Sequence, residues 1–343
     1  MKKAYAIAAM EARSVDEIPE GPQWQYEPKW DGFRCILERD GSKVALASKR
    51  GQDLQPIVAG ALDLRAKSFP LDGEIVVPVE AQFSFDDLLQ RIHPAASRIK
   101  KLAEKTPALY LAFDLLKDGR TEVATRRLSD RRRLLTSFAG RQFPKSEIFQ
   151  LSPASLKLSN AERWLESAGG GSDGVIAKRL DLAYQAGTRE GMQKIKRYRT
   201  ADCVIGGFRY AEKKQVGRKV VGSLLLGLFD NDGLLHHVGF SSAIKAKEKP
   251  VLTNKLERIM QKRSFTGSAP GGPSRWSTKR SSEWMPVKPE NVVEVSYDHF
   301  TGGRFRHGTS VVRWRTDKRP DQCTMDQLEQ KMSRALVRNM LRT

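Results

Sequence analysis

The apolar segments of this chain are short, irregularly spaced and bounded by turn signals, a pattern that disfavours a regular βαβ repeat. Phe33–Glu38 reads as a strand, Asp40-Gly41 as a hairpin turn, and Val44–Ser48 as the returning strand. Leu71–Val77, Leu109–Leu115, Gly174–Lys178 and Gln193–Arg197 are further strand candidates. Helical patterns fall on Phe85–Ile92, on Ser129–Phe138 with Ser129 as the N-cap, and on Ala161–Ala168. Such an order predicts antiparallel sheets with helices packed on them, an α+β fold.

From Thr200 the pattern changes. Cys203–Phe208, Gly222–Phe229 and Leu234–Phe240 are short strands, the last two joined by Asn231-Asp232-Gly233. Ala243–Lys262 reads as a helix interrupted at Pro250, Ser264–Pro289 as loops, and Val292–Tyr297 and Val311–Arg315 as strands. Met325–Leu341 reads as a terminal helix. Short strands, one helix and long loops fit a small Greek-key barrel of the OB type. At 343 residues the chain has room for both cores. The expected division is 1–198 and 199–343.

Charge indicates what the second part meets. The chain carries 60 basic and 40 acidic side chains, a formal net charge of +20. Residues 199–343 hold 27 basic and 14 acidic groups, so most of the excess lies there. A polyanion is the expected partner, and nucleic acid suits it best, because no amphipathic Lys-rich helix offers a membrane-surface alternative. No apolar run approaches the roughly 18–20 residues of a membrane span, and the first residues do not form a secretory signal. Cys35, Cys203 and Cys323 are isolated, so neither a zinc site nor a disulfide framework is expected. The expected location is the cytoplasm, without membrane association.

The chemistry concentrates in short segments. Glu27-Pro28-Lys29-Trp30-Asp31-Gly32 places a lysine beside an acid and a glycine, which reads as a lysine held in a tight turn. An ammonium group with a reference pKa near 10.4 is not a nucleophile. A catalytic Lys29 therefore requires other cations, and a metal, gathered around one phosphate. Candidate companions are Leu71-Asp72-Gly73-Glu74, Leu111-Ala112-Phe113-Asp114, Asp173-Gly174-Val175-Ile176-Ala177-Lys178, Lys194-Ile195-Lys196 and Arg315-Thr316-Asp317-Lys318. Alone, each has a plain structural explanation: turn glycines, a core phenylalanine, a solvated strand face. The Arg126–Arg133 cluster reads as a solvated helix face, and Gly169–Gly174 as the loop that delivers Asp173 rather than a dinucleotide fingerprint.

In this order the segments resemble motifs I, III, IIIa, IV, V and VI of the covalent nucleotidyltransferases, from about Glu27 to Lys318. Thr200-Ala201-Asp202-Cys203-Val204-Ile205-Gly206-Gly207-Phe208, His237-Val238-Gly239-Phe240 and Phe305-Arg306-His307-Gly308 narrow the resemblance to bacterial ATP-dependent DNA ligases, most closely the small stand-alone ligase C type.

That resemblance implies an adenylation (nucleotidyltransferase) domain at 1–198 and an OB-fold DNA-binding domain with a C-terminal helix at 199–343. It implies a nick-sealing DNA ligase that passes through a lysyl-AMP, with ATP and Mg²⁺ or Mn²⁺ as cofactors. Lys29 would be the nucleophile. Glu27 would help to read the adenine edge, and Arg34 would meet the ribose or 5′-phosphate side. Glu74 would bind ribose or metal, and Asp173 metal. Phe113 and Ile176 would sandwich adenine. Lys178, Lys194 and Lys196 would hold the α-phosphate, with Lys194 and Lys196 counted as catalytic. Arg315, Asp317 and Lys318 would close over ATP. Nicked duplex DNA is the implied partner. The class also implies a nucleoid-associated monomer in DNA repair, with repair polymerases as possible partners.

Three positions depart from the family pattern. Lys49 replaces the motif Ia arginine and cannot reproduce its bidentate fork, Asp173 replaces a glutamate, and Met192 replaces an aromatic. An RNA ligase or a GTP-using capping-type enzyme shares the lysine chemistry and is the alternative. A non-catalytic DNA-binding OB module would also be basic, but would not need Lys29, Glu74, Lys194 and Lys196.

Overall fold

The computed structural model describes residues 8–48, 65–66, 68–80, 82–91, 96–144, 146, 148–168, 171–212, 215, 217–271 and 283–328. The described residues divide into two compact units, 8–197 and 198–328. The family's Lys49 position and the expected helix beyond residue 328 lie outside the described residues. Met325–Leu328, where that helix was expected to start, is a 3-10 turn.

The first unit holds two principal sheets. One is ordered β1 (Arg13–Ser14), β9 (Met192–Lys196), β8 (Ser172–Arg179), β2 (Trp24–Trp30), with only β1 running parallel to its neighbour. The other is ordered β7 (Phe149–Leu151), β6 (Leu109–Leu115), β5 (Ser68–Val76), β3 (Phe33–Asp40), β4 (Lys43–Ser48). There only β7 pairs in parallel, with β6, so the sheets are largely antiparallel, as the spacing predicts.

Lys29 does not sit in a turn. It is the second-to-last residue of β2, an edge strand that ladders with β8 and, among the described residues, meets only an isolated bridge from Tyr26 to Ser155 on its other side. Pro28 is compatible with that position, because an edge strand has one side on which no amide donor is needed. The bend comes two residues later. Asp31 donates its amide to Gly171 O at 2.8 Å. A Cβ on Gly32 would lie 2.3 Å from Ile75 O, so the crossing from the first sheet to the second requires glycine.

Helix α3 (Leu128–Gln142) packs Leu128, Arg131, Leu135 and Phe138 inward at helical spacing. Its N-cap is Arg127, without a side-chain cap bond, rather than Ser129. The first amides are satisfied from elsewhere: Leu128 and Ser129 donate to the carbonyls of Leu182 and Leu180. The expected solvated arginine face holds at Arg126, Arg127 and Arg133, which are exposed, and is corrected at two positions. Arg131 is only 2% exposed and grips Asp114 with bonds of 2.9 and 3.0 Å, while Arg132 donates to Ser152 O. Among the described residues the remaining α-helices of the unit are α1 (Phe85–Leu89), α2 (Ala96–Lys105) and α4 (Leu158–Glu166).

The principal sheet of the second unit is ordered β12 (Leu235–Ser241), β11 (Val221–Phe229), β10 (Arg199–Tyr210), β13 (Val292–Tyr297), β14 (Ser310–Trp314), with Met285–Pro286 also paired to β10 and a separate hairpin at Phe300–Thr301 and Arg304–Phe305. A single parallel bridge, Ser241 to Thr309, links its two ends, so the domain is OB-like without a continuously closed ladder. Helix α5 (Lys249–Glu257), directly preceded by a 3-10 turn at Ala246–Glu248, carries Pro250 in its first turn instead of breaking there, because a proline in that turn forfeits no helical hydrogen bond. No helix among the described residues is long and apolar enough to cross a membrane.

Candidate active site

Strand alternation puts Gln25, Glu27 and Lys29 of β2 on one face of the first sheet, with Gly174, Ile176 and Lys178 of β8 and Met192, Lys194 and Lys196 of β9. The register arranges them in three rows: Gln25–Lys178–Met192, Glu27–Ile176–Lys194 and Lys29–Gly174–Lys196. The opposite face is apolar. Trp24, Tyr26, Val175, Ala177 and Ile195 pack there with Ala161 of α4. Burial of that face fixes the register, and with it the polar face.

Gly174 holds the centre of the Lys29 row. Its φ is +152°, and a Cβ there would lie 1.9 Å from Ile195 O. The pairing of β8 with β2 shifts at this point, between Ser172 and Gly174. This irregularity re-aims Asp173, which strict alternation would turn to the apolar face. Its Oδ1 accepts from Lys29 Nζ at 2.6 Å, and its Oδ2 stands 3.4 Å from Lys196 Nζ. The two amines therefore share one buried carboxylate.

The second sheet supplies the facing groups. Arg34 and Glu74 are register partners on β3 and β5. Asp72 pairs with Asp114 and Gly73 with Ala112, which leaves Phe113 as the extra residue of a bulge. It is also the one residue of β6 that is not buried. Its ring centre lies 4.5 Å from Lys178 Nζ and 5.3 Å from the Arg34 guanidinium carbon, within cation–π range of both.

These groups line a cavity of about 330 Å³ whose walls include Glu27, Lys29, Arg34, Glu74, Phe113, Ile176, Lys178 and Lys194. Burial pushes the Glu74 carboxyl up to about 8, against the opposing pull of Lys29 and Arg34. Glu27 is buried, and its oxygens accept from Lys178 at 2.7 Å and Gln25 at 2.8 Å. Lys178, expected at the α-phosphate, comes from the row farthest from Lys29, a backbone offset of about 13 Å along the strand direction. Among the acidic groups of the site, Glu74 and Asp173 offer oxygen donors, a set that suits Mg²⁺ or Mn²⁺.

Arg315 and Lys318 belong to the second unit. There Arg315 bonds both oxygens of Asp202 at 2.9 Å and also forks onto Asp317, while Lys318 bonds Asp202 at 2.8 Å. Asp202 was read only as part of a family segment, with no role of its own.

The family model described as ATP dependent DNA ligase domain matches residues 7–196, and that described as ATP dependent DNA ligase C terminal region matches residues 217–318. The chain belongs to the ATP-dependent DNA ligase family. This ligase-family chain is 41% identical over 342 residues to DNA ligase C2 of Mycolicibacterium smegmatis, with 94% of each chain covered. It is 37% identical over 356 residues to DNA ligase C of Mycobacterium tuberculosis, with 96% of each covered. A solved structure from a study of Lig E DNA ligases shares the fold, at 18% identity and a TM-score of 0.55, covering 91% of this chain and 100% of that one. The motif order had implied this ligase family, and the stand-alone ligase C type within it.

The sequence reading missed Asp72 and Tyr184. Asp72 takes both ends of the Arg34 fork, Nε at 3.0 Å and Nη2 at 2.5 Å, and Tyr184 donates to the same carboxylate. Asp72 was visible next to Glu74 but was passed over. Tyr184 lies between motifs and carries no local signal.

Proposed function

We propose that the protein seals nicks in duplex DNA, using ATP and a covalent AMP on Lys29. The observation that carries this reading is the row Lys29–Gly174–Lys196, bridged by Asp173 and continuous with a cavity that also holds an aromatic ring, an arginine and a buried glutamate. Residues 1–198 form the adenylation domain and residues 199–343 the DNA-binding domain.

Lys29 Nζ, once deprotonated, attacks the α-phosphorus of ATP. A P–N bond forms, the bond to the bridging oxygen breaks, and pyrophosphate leaves. The 5′-phosphate of a nick then takes the AMP from Lys29, and the 3′-hydroxyl displaces it. Phosphoryl transfer of this kind depends on alignment and on charge stabilisation at the phosphate oxygens. Lys194 and Lys196 supply that charge from the rows at and beside Lys29. Phe113 and Ile176 hold adenine, with the Glu27–Lys178 pair at the base end. Arg34 meets the ribose–phosphate side. Glu74 and Asp173 would hold Mg²⁺ or Mn²⁺, which when bound neutralises phosphate charge. Arg315 and Lys318 exchange Asp202 for the pyrophosphate oxygens.

The multifunctional end-joining protein LigD of Mycobacterium bovis is 33% identical over 309 residues, with 37% of its length covered, which supports a role in DNA repair. The protein acts as a monomer in the nucleoid-associated cytoplasm, with repair polymerases as partners. Gel assays comparing nicked DNA with nicked RNA, and ATP with GTP, test the reading. Sealing of nicked DNA with ATP is expected. Sealing only of RNA, or only with GTP, contradicts it.

A further inference from the structure

Tyr184 lies between β8 and β9, outside all the motif segments. Its hydroxyl donates to Asp72 Oδ2 at 2.6 Å and accepts from the Met10 amide at 2.9 Å. Asp72 is fully buried and accepts from Arg34 through both oxygens. Arg34 in turn lines the cavity beside the Phe113 ring. These contacts form an unbroken series from a tyrosine outside the motifs to a guanidinium in the cavity wall.

Both ends of Tyr184 are fixed. Its amide donates to Ala124 O at 2.8 Å. Its ring lies 5.7 Å from the Arg131 guanidinium carbon, and Arg131 is itself clamped by Asp114. Burial and the neighbouring Asp72 carboxylate push the phenol pKa well above its ordinary value, so the hydroxyl keeps its proton for donation. A carboxylate holding only an arginine fork can turn about its Cβ–Cγ bond and carry the fork with it. A third donor from a rigid ring opposes that rotation.

We propose that Tyr184 is a positioning residue for Arg34, acting through Asp72 to fix the guanidinium where it meets the ribose–phosphate side of the nucleotide. The proposal rests on the assignment of the Lys29 cavity to ATP. Tyr184 contacts neither the nucleotide nor the reacting atoms; its effect is on the geometry of ATP binding. A tyrosine that only tied Met10 to the 180–187 segment would act on stability, independently of Arg34.

The full-length chain, its Tyr184→Phe and Arg34→Ala variants and the double variant separate these possibilities. Calorimetry would give the ATP dissociation constant, and quench-flow the rate of AMP transfer at saturating ATP. Tyr184→Phe keeps the ring, and is expected to weaken ATP binding about five- to tenfold while the saturated rate stays within about twofold. In the Arg34→Ala background the same change is expected to alter binding by less than about twofold. An equal loss of affinity in both backgrounds, or no loss in either, overturns the proposal alone. Failure of the unmodified chain to bind ATP overturns the cavity assignment and the proposal together.

Discussion

Lys29 Nζ and Asp173 Oδ1 lie 2.6 Å apart, although 144 residues separate them in the chain. The other Asp173 oxygen faces Lys196, so one carboxylate sets the spacing of two amines of the site. Asp173→Asn keeps the shape and removes the charge. Lysine adenylation with Mg²⁺ is expected to fall at least ~100-fold, equivalent to ~2.7 kcal/mol of barrier. Single-turnover labelling with ATP checks this, and a loss under about threefold would contradict the role.

The Phe113 bulge gives a second prediction. Base–aromatic stacking is worth about 1–3 kcal/mol, so Phe113→Ala should weaken ATP binding about 5- to 150-fold. The saturated rate of AMP transfer should change much less. Calorimetry with ATP measures the first quantity and quench-flow the second.

Glu74 makes stability depend on pH. Its carboxyl titrates near 8 in the fold because burial disfavours the charge. In the unfolded chain it titrates near its ordinary value of about 4.3. The folded state therefore binds the proton more tightly. Its stabilising contribution is complete below the unfolded value and is lost as pH rises through the folded one. Metal-free thermal melts should show the wild type losing more stability than Glu74→Gln between about pH 5 and about pH 8.5. Parallel curves for the two proteins would count against the buried assignment.

The Arg131–Asp114 pair is enclosed on both sides, at 2% and 3% side-chain exposure. Removing one partner strands the other charge, at a cost of about 3–5 kcal/mol. Arg131→Ala should lower the stability of the first unit by that amount in urea titrations, whereas Arg133→Ala, at an exposed position, should cost under about 0.5 kcal/mol.

Much of this architecture is legible in the sequence because strands with one buried face advertise their period. Leu109–Leu115 and Val292–Tyr297 have the same limits in the sequence reading and in the structure. Lys29 was misplaced into a turn because Pro28 and Gly32 are punctuation residues. Pro28 is tolerated only because β2 is an edge, and edge position is a tertiary fact. Ser129 and Pro250 were misread for a related reason. The amides at the start of α3 are satisfied by the carbonyls of Leu180 and Leu182, more than 50 residues further along the chain, and Pro250 lies in a first turn rather than an interior one. The lysines and acids of the site were found because they fall in short ordered segments. Tyr184 was not, because its contact with Asp72 spans 112 residues and leaves no local trace.

The central claim is a covalent bond at a named atom. Incubation of the purified chain with ATP labelled at the α-phosphate, followed by peptide mapping, tests it most directly. One AMP per chain is expected, on the peptide containing Lys29, with none on Lys29→Ala. An unlabelled wild-type chain, or an AMP carried by another lysine, would contradict the account.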